Sequence, residues 1–192
     1  MLILASESPR RRELLGSLGI PFEIRSARVK ELEQADSACS VSLLPQKNAF
    51  LKAEAVAGEY PGSVVLGADT AIIFEDRMIG KPRDLSDARN ILSSLSGKTH
   101  QVITGIALVR TGEDGFCRQW SEISEVVFKP LGADVIEDYI SKVHVLDKAG
   151  AYAIQECGEM IISRYTGELN NIIGLPLTCL KKELTELNIY PA

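Results

Sequence analysis

Apolar patterns typical of strands alternate along the chain with patterns typical of helices, and this alternation limits the fold more than any other sequence feature. MLILA at the N terminus is a short apolar run typical of a buried strand, and the leucines of residues 9–18 share one side of a helix. Similar strand and helix patterns alternate up to a final helix that we expect to begin near Pro176. Strands joined by helices usually pair in parallel, whereas strands joined by tight turns pair antiparallel. The sequence therefore predicts an α/β fold in which helices flank a mixed sheet.

Local signals predict where several elements begin and end. Gly67 interrupts the apolar run SVVLGADTAIIF and predicts a break between two strands, while Ser86 is placed to cap the following helix. The segment TGEDG joins two long strand-like stretches and predicts a hairpin. Further elements are expected as strands at PFEIRS and AYAIQ and as a helix over residues 43–57.

Bulk properties exclude several classes of function. A net charge of -5 over 192 residues argues against a surface that grips long nucleic acids by counterion release. The four cysteines form no C-x-x-C pair, so neither a disulfide framework nor a zinc cluster is predicted. MLILA is too short for a signal-peptide core, and no apolar run approaches the roughly 18 residues of a membrane span. We therefore expect a soluble, cytoplasmic protein.

Three consecutive arginines occupy an unusual position at the start of the first helix. Ser8 and Pro9 have the residue types of an N-cap and a first helical residue, and the arginines at 10–12 then fill the helix's electropositive first turn. Helical geometry places Arg11 above the buried leucines and turns Arg12 toward solvent. An anion such as phosphate would explain this placement. A solvated basic helix start, or an ion pair between Arg11 and a structural carboxylate, would also explain it.

A second group of polar residues contains the groups that phosphoanhydride cleavage requires. Asp69 and Thr70 interrupt an apolar strand, and Lys81 follows the returning strand in GKP. Such cleavage needs carboxylate oxygens for a hard cation, basic side chains for the phosphates and a base for water. Taken singly, a buried Asp often caps a turn and a Lys before Pro is often only solvated. Their joint occurrence with Arg11 favours a phosphate site.

Other catalytic motifs are poorly matched. SGKT at residues 96–99 resembles half of a P-loop, but Leu92 stands where the first glycine is required, and the segment ends a helix rather than beginning one. Only His100 and His144 are present, which argues against a zinc site or a Ser-His-Asp triad. His100 precedes an apolar strand, and we expect it to be structural.

Six ordered motifs nevertheless resemble one known family. LASESPRRREL, LGADT, GKP, LSGKTHQVITG, DKAGAYAIQ and GLPL resemble, in order and spacing, motifs of the Maf nucleoside triphosphate pyrophosphatases over almost the whole chain. The resemblance implies one domain over residues 1–192, with an elongated α/β fold like that of inosine triphosphate pyrophosphatases and two lobes around a deep cleft. It also implies metal-dependent hydrolysis of a nucleoside triphosphate to its monophosphate and pyrophosphate.

The same resemblance assigns roles to residues of this chain. Asp69 matches the catalytic base, and Asp69 with Glu31 would bind the divalent cation, Mg²⁺ or Mn²⁺. The residues that match the substrate-binding positions are Ser6, Arg10, Arg11, Lys52, Thr70, Lys81 and Gln155. DKAGAYAIQ, with Gln155, resembles the branch that hydrolyses dTTP and UTP, and CTP or modified pyrimidine nucleotides are further possible substrates. A homodimer is also expected by family likeness.

Three other functions remain open from the sequence. The protein could be a 7-methyl-GTP pyrophosphatase, because another branch of the family has that activity. Maf proteins are also linked to arrest of septum formation, so the nucleotide site could serve a regulator of cell division as a sensor. The third alternative is a nucleotide-binding module that cleaves nothing. The combination of Asp69, Lys52 and Lys81 favours turnover, since binding alone needs cations but no base.

Overall fold

The computed structural model describes residues 1–32 and 40–191. The described strands form one sheet in the order β2-β1-β3-β5-β6-β7, and β4 pairs with β3. The strands are β1 (Leu2–Leu4), β2 (Phe22–Ile24), β3 (Val64–Phe74), β4 (Arg77–Ile79), β5 (Thr99–Arg110), β6 (Phe116–Phe128) and β7 (Ile162–Thr166). The helices are α1 (Pro9–Gly16), α2 (Leu44–Glu59), α3 (Leu85–Leu95), α4 (Ala133–Lys142), α5 (Gly158–Ile161), α6 (Leu169–Ile173) and α7 (Leu177–Glu186). The predicted mixed α/β sheet is confirmed, with β1 parallel to β2 and β3 but β4 antiparallel to β3.

The chain divides into two compact units, and neither is a continuous stretch of sequence. The first unit comprises Met1–Thr70, Thr104–Glu122 and Glu168–Ala192, and the second comprises Ala71–Ile103 and Ile123–Gly167. The long strands β3, β5 and β6 each contribute residues to both units.

The core of the first unit follows from the strand period of two. Leu2 and Leu4 of β1 belong to one apolar cluster, whereas Ile3 belongs to another. The first cluster includes Leu15 of α1 and leucines of α7, and the second includes the small residues of α2. The sheet therefore buries both faces in this unit, as expected for parallel strands covered by helices.

Gly67 does not break the strand, contrary to the sequence-based prediction. β3 runs without interruption from Val64 to Phe74. A Cβ atom on Gly67 would lie 2.0 Å from the backbone oxygen of Ala49, and one on Gly105 would lie 2.2 Å from the backbone nitrogen of Gln46. Both glycines thus allow α2 to pack directly against the sheet, which is the physical reason for their place in these strands.

Three other boundaries differ from the sequence-based expectations. Asp84, not Ser86, caps α3, because its side chain accepts a hydrogen bond from the Asp87 backbone nitrogen at 2.8 Å. AYAIQ forms no strand, since a 3-10 turn at Ala149–Ala151 is followed by extended residues and turns. The first helix ends at Gly16, two residues before the predicted end. At each of these boundaries the geometry of the turn or cap, and not the pattern of apolar residues, determined where the element begins or ends.

The second unit contains a tight turn between β3 and β4 and a buried histidine. Glu75 and Asp76 adopt positive φ values at the turn into β4. His100 is 2% exposed, and its Nε2 lies 2.7 Å from the hydroxyl of Tyr152. Its ring also makes an edge contact with Phe128.

No helix in the described part of the chain is long and apolar enough to cross a membrane.

Candidate active site

A lysine and two carboxylates form the charged centre of the first unit. Lys52 projects from α2, and its Nζ lies 2.8 Å from Asp69 Oδ1 and 2.9 Å from Glu31 Oε1. Lys52 is 8% exposed, so α2 holds its ammonium group in a largely buried position on the sheet. The Glu31 side chain is 51% exposed. Three of the predicted site residues therefore meet, with one carboxylate accessible to solvent.

Asn48 completes this centre, and the sequence-based prediction missed it. Its amide oxygen accepts a hydrogen bond from the Leu32 backbone nitrogen at 2.7 Å, and its Nδ2 donates to the Leu32 oxygen at 3.0 Å and to Asp69 Oδ2 at 3.1 Å. Asn48 is 2% exposed and lies one helical turn before Lys52. A polar residue four positions before Lys52, on the buried face of an apolar helix, was the available signal.

Arg11 is held by neutral oxygen atoms rather than by a carboxylate. Its Nε donates to the Gly174 backbone oxygen at 3.0 Å, Nη1 to Ser6 Oγ at 3.3 Å and Nη2 to Thr70 Oγ1 at 3.1 Å. These bonds use three of the five N–H groups of a guanidinium and leave one on each terminal nitrogen. Burial lowers the pKa of Arg11, while Asp69 and Glu31 act in the opposite direction. Its orientation is thus fixed, and no carboxylate in the described part of the chain contacts it directly.

The start of α1 has the predicted geometry around this arginine. Ser8 is the N-cap and accepts from the Arg11 backbone nitrogen, and Pro9 occupies the first turn. Arg12 is exposed, as predicted from helical angle, and Arg10 is partly buried. Buried Ser6 accepts hydrogen bonds from the Ser8 backbone nitrogen and from Arg11. Among the residues that the structure describes, no carboxylate forms an ion pair with Arg11, which argues against the alternative of a structural ion pair.

Thr70 connects Arg11 to a second buried threonine. Its Oγ1 lies 3.0 Å from Thr104 Oγ1, and Thr104 Oγ1 lies 3.0 Å from the backbone oxygen of Asn171. Thr104 is fully buried. The short helix α6 carries Asn171 and ends at Ile173, and the backbone oxygen of the next residue, Gly174, accepts from Arg11. The sequence-based prediction did not include α6, because five residues are too few for a helical period to be recognised.

The two remaining predicted residues belong to the second unit. Lys81 is exposed in the segment after β4, and Gln155 is exposed in the turn after the 3-10 helix. Their surrounding motifs meet, because the Gly150 nitrogen donates to the Gly80 oxygen at 3.0 Å.

The donor set in the first unit fits a hard divalent cation that is only partly coordinated by protein. The described residues contain no group of three or more His, Cys, Asp or Glu side chains arranged to enclose a metal. Glu31 and Asp69 nevertheless converge on the same ammonium nitrogen, and each carboxylate oxygen has lone pairs beyond its present partner. Mg²⁺ commonly takes one or two carboxylates and completes its shell with water and substrate phosphates. Two converging carboxylates suit that mode of binding.

Comparison with known proteins identifies the family of this chain. Residues 1–187 match the model of the family described as Maf-like protein. The chain is 45% identical over 190 residues to a dTTP/UTP pyrophosphatase of Akkermansia muciniphila, covering 97% of this chain and 96% of the relative. It is 43% identical over 190 residues to a dTTP/UTP pyrophosphatase of Symbiobacterium thermophilum, covering 99% of this chain and 95% of the relative.

Solved structures with low sequence identity share the fold. The Ham1 protein of Staphylococcus aureus matches with a TM-score of 0.55 at 13% identity, covering 97% of this chain and 98% of that one. A HAM1 protein from Coxiella burnetii matches with a TM-score of 0.52 at 20% identity, covering 96% and 98%. These likenesses concern the fold alone. The family match over residues 1–187, together with the identity to curated relatives over nearly the whole chain, shows that this protein belongs to the Maf family.

Proposed function

We propose that this protein is a nucleoside triphosphate pyrophosphatase that hydrolyses dTTP and UTP to the monophosphate and pyrophosphate. The proposal is carried by two groups in the first unit: the carboxylates that share Lys52, and the guanidinium of Arg11. Asp69 shares Lys52 with Glu31, whereas Arg11 is oriented by neutral oxygens and forms no ion pair with any described carboxylate. A carboxylate centre beside an oriented cation is the combination that phosphoanhydride hydrolysis requires.

Arg11 and Ser6 would bind the phosphates. Arg11 has an N–H left on each terminal nitrogen, which suits two oxygens of one phosphate. Ser6 accepts two hydrogen bonds through its oxygen, and its own hydroxyl proton has no acceptor in the part of the chain that the structure describes. That proton is available to a phosphate oxygen. Arg10 lies in the same first helical turn, next to Arg11, and would add positive charge to this end of the substrate.

Asp69 would act as the general base. Water attacks phosphorus, the bond between the α- and β-phosphates breaks, and the released proton passes to a carboxylate oxygen of Asp69. Lys52 would keep Asp69 oriented and offset negative charge that accumulates as pyrophosphate leaves. General base catalysis typically contributes about 10²- to 10⁴-fold to the rate.

Asp69 and Glu31 would hold the divalent cation, Mg²⁺ or Mn²⁺. When bound, this ion supplies positive charge to the phosphate oxygens and lowers the cost of their developing charge. Lys52 already satisfies one oxygen of each carboxylate, so it would keep the two groups together before the ion binds.

The pyrimidine preference rests on family likeness and on the names of relatives. The matched relatives of Akkermansia muciniphila and Symbiobacterium thermophilum are named dTTP/UTP pyrophosphatases. Gln155 can donate its amide N–H to a pyrimidine carbonyl, and Thr70 is the second residue we assign to substrate choice. Lys81 is assigned to phosphate binding. We also propose that residues 1–192 function as one domain, in the cytoplasm and as a homodimer.

A nucleotide panel tests the proposed function. Purified protein with Mg²⁺ or Mn²⁺ is incubated with dTTP, UTP, CTP, ATP, GTP and 7-methyl-GTP, and pyrophosphate and monophosphate are followed together. We expect pyrophosphate from dTTP and UTP, a loss of at least about 10²-fold in kcat for Asp69→Asn, and retained nucleotide binding by that variant. Exposed Asp114 provides the matched control, Asp114→Asn.

Other results of the panel would point to other functions. Release confined to 7-methyl-GTP would preserve the reaction but contradict the pyrimidine preference. Binding without pyrophosphate release from any nucleotide would contradict the enzyme and favour a sensor or binding module.

A further inference from the structure

Hydrogen bonds beside Arg11 have a single possible direction. The Asn171 backbone oxygen can only accept, so Thr104 must donate its hydroxyl proton across the 3.0 Å between them. Thr104 then has no proton left for Thr70, which must therefore donate to Thr104. Arg11 can only donate to Thr70. The protons consequently point one way, from Arg11 to Thr70, from Thr70 to Thr104, and from Thr104 to the main chain of α6.

This direction leaves Thr70 with a lone pair and no proton for any further partner. Ser6, which accepts from the other terminal nitrogen of Arg11, differs in this respect, because its hydroxyl proton remains available for a further partner. Arg11 is thus flanked by one hydroxyl that can donate and one that can only accept. Thr104 is 0% exposed, so water does not compete for its hydroxyl and the direction is set by the protein.

We propose that Thr104 is a positioning residue that makes Thr70 an acceptor and thereby selects nucleotides presenting a hydrogen-bond donor to Thr70. This inference rests on the proposed function. Ionised phosphate oxygens carry no proton, so an acceptor-only Thr70 has no hydrogen bond to offer them. Uracil and thymine carry an N–H at ring position 3, whereas the same nitrogen of cytosine is bare and can only accept. The donor class that Thr70 selects is therefore the ring N–H of uracil and thymine.

The backbone beside Thr70 leaves room for such a partner. A Cβ on Gly174 would lie 3.4 Å from Thr70 Oγ1 and 3.8 Å from Arg11 Nε. Gly174 also has a φ of 129°, which disfavours other residues. The absence of a side chain at this position keeps one side of the Thr70 and Arg11 pair clear.

Thr104→Val tests the inference, with Thr104→Ser as the matched control. Valine keeps the shape but cannot accept from Thr70, whose freed proton can then donate to the bare cytosine nitrogen. We expect the preference for UTP over CTP in kcat/KM to fall about 10-fold in Thr104→Val, the equivalent of one hydrogen bond, and to persist in Thr104→Ser. Calorimetric binding of UTP and CTP in an Asp69→Asn background should show the same shift without turnover.

Thr70→Val provides a second route that does not disturb α6. It removes the acceptor but leaves the bond from Thr104 to Asn171, and we expect the same loss of preference. The two changes interrupt one chain of bonds, so the double variant should be no less selective than Thr70→Val alone. If Thr104→Val fails to fold, Thr70→Val compared with Thr70→Ser still tests the acceptor role.

Two results would overturn the inference while leaving the proposed function intact. One is an unchanged preference for UTP over CTP in Thr104→Val or Thr70→Val. The other is additive losses in the double variant, which would mean that the two threonines act separately. In both cases the unmodified protein still releases pyrophosphate from UTP. An unmodified protein that neither binds nor cleaves pyrimidine nucleotides would instead overturn the proposed function, and the inference with it.

Discussion

At the scale of single residues, position along α1 separates arginines that look equivalent in the sequence. Arg11 makes three hydrogen bonds to neutral oxygens, whereas Arg12 is exposed. The arginines oppose the helix dipole by something of order 0.3–1 kcal/mol each. A bound triphosphate would reverse that local electrostatic effect. We infer that Arg11 is placed for substrate and that Arg12 contributes little.

Replacing each of these arginines by lysine tests the difference. Lysine keeps the charge but lacks the planar fork, so Arg11→Lys loses both the orienting bonds and two-point phosphate binding. We expect the KM for dTTP to rise about 10- to 100-fold, corresponding to the loss of one charged hydrogen bond. Arg12→Lys should leave steady-state kinetics unchanged. Equal effects of the two substitutions would contradict the assignment of Arg11.

Asn48 supports a second prediction at this scale, concerning metal binding. Asn48→Leu keeps side-chain bulk on α2 but removes all three hydrogen bonds to Leu32 and Asp69. Glu31 would lose its fixed neighbour, and Mn²⁺ binding measured by electron paramagnetic resonance should weaken about 10- to 100-fold, as for other residues that orient metal ligands. Exposed Asn90 gives the control, Asn90→Ala. Unchanged Mn²⁺ affinity in Asn48→Leu would refute the positioning role.

At the scale of elements, the contact between α2 and the sheet determines the geometry of the charged centre. α2 carries Lys52 and β3 carries Asp69, and their separation depends on how closely helix and strand approach. Gly67 sets that approach, because Ala49 and Ala53 occupy the space where its side chain would be. A displaced α2 would carry Lys52 away from Asp69.

Gly67→Ala therefore provides a test of element packing. The added methyl group overlaps backbone atoms of α2, which cannot yield as a flexible side chain does, and the free energy of unfolding should fall by about 3 kcal/mol or more. Gly58 lies in the same helix with nothing within 4 Å of an added Cβ. Gly58→Ala should stabilise the protein by about 0.5–1 kcal/mol. Urea unfolding of both variants measures the difference, and similar values for the two would contradict the packing explanation.

At the scale of the whole molecule, stability in mild acid depends on a buried histidine of the second unit. Burial lowers the pKa of His100 from 6.5 to about 4. The unfolded chain binds a proton at this residue between these two pH values, whereas the folded protein does not. His100 therefore contributes stability above pH 6.5, and this contribution is lost as pH falls toward 4.

Unfolding measured across this pH range tests the contribution of His100. We expect the free energy of unfolding to fall by roughly 3 kcal/mol from pH 6.5 to pH 4 through this residue, on the basis of 1.36 kcal/mol per pKa unit. His100→Gln should remove that part of the slope. Exposed His144 is the matched control, and His144→Gln should retain it. An identical pH slope in the unmodified protein and His100→Gln would show that His100 is not the cause.

Local patterns predicted much of the architecture and part of the site. The parallel strand β1, the cap at Ser8, the hairpin between β5 and β6 and the exposure of Arg12 follow from residue types and their spacing. The continuous β3 could not be predicted, because a glycine such as Gly67 within an apolar run is equally consistent with a break in the strand and with a close contact between strand and helix. Asp84 and Ser86 are both good cap residues, and the backbone path selected between them.

The sequence by itself determined the mixed α/β class, the order of the motifs and the chemical types available to the site. It predicted Lys52 on a helix with one apolar side and Asp69 next to Thr70 where an apolar run is interrupted, since these are properties of neighbouring residues. Only the tertiary structure brought Asn48 to Leu32 and Asp69, and Thr104 to Thr70 and Asn171. The physical reason is that a hydrogen bond needs its donor and acceptor close together and aligned. For residues far apart in the sequence, that alignment depends on how the backbone segments pack, which residue spacing does not reveal.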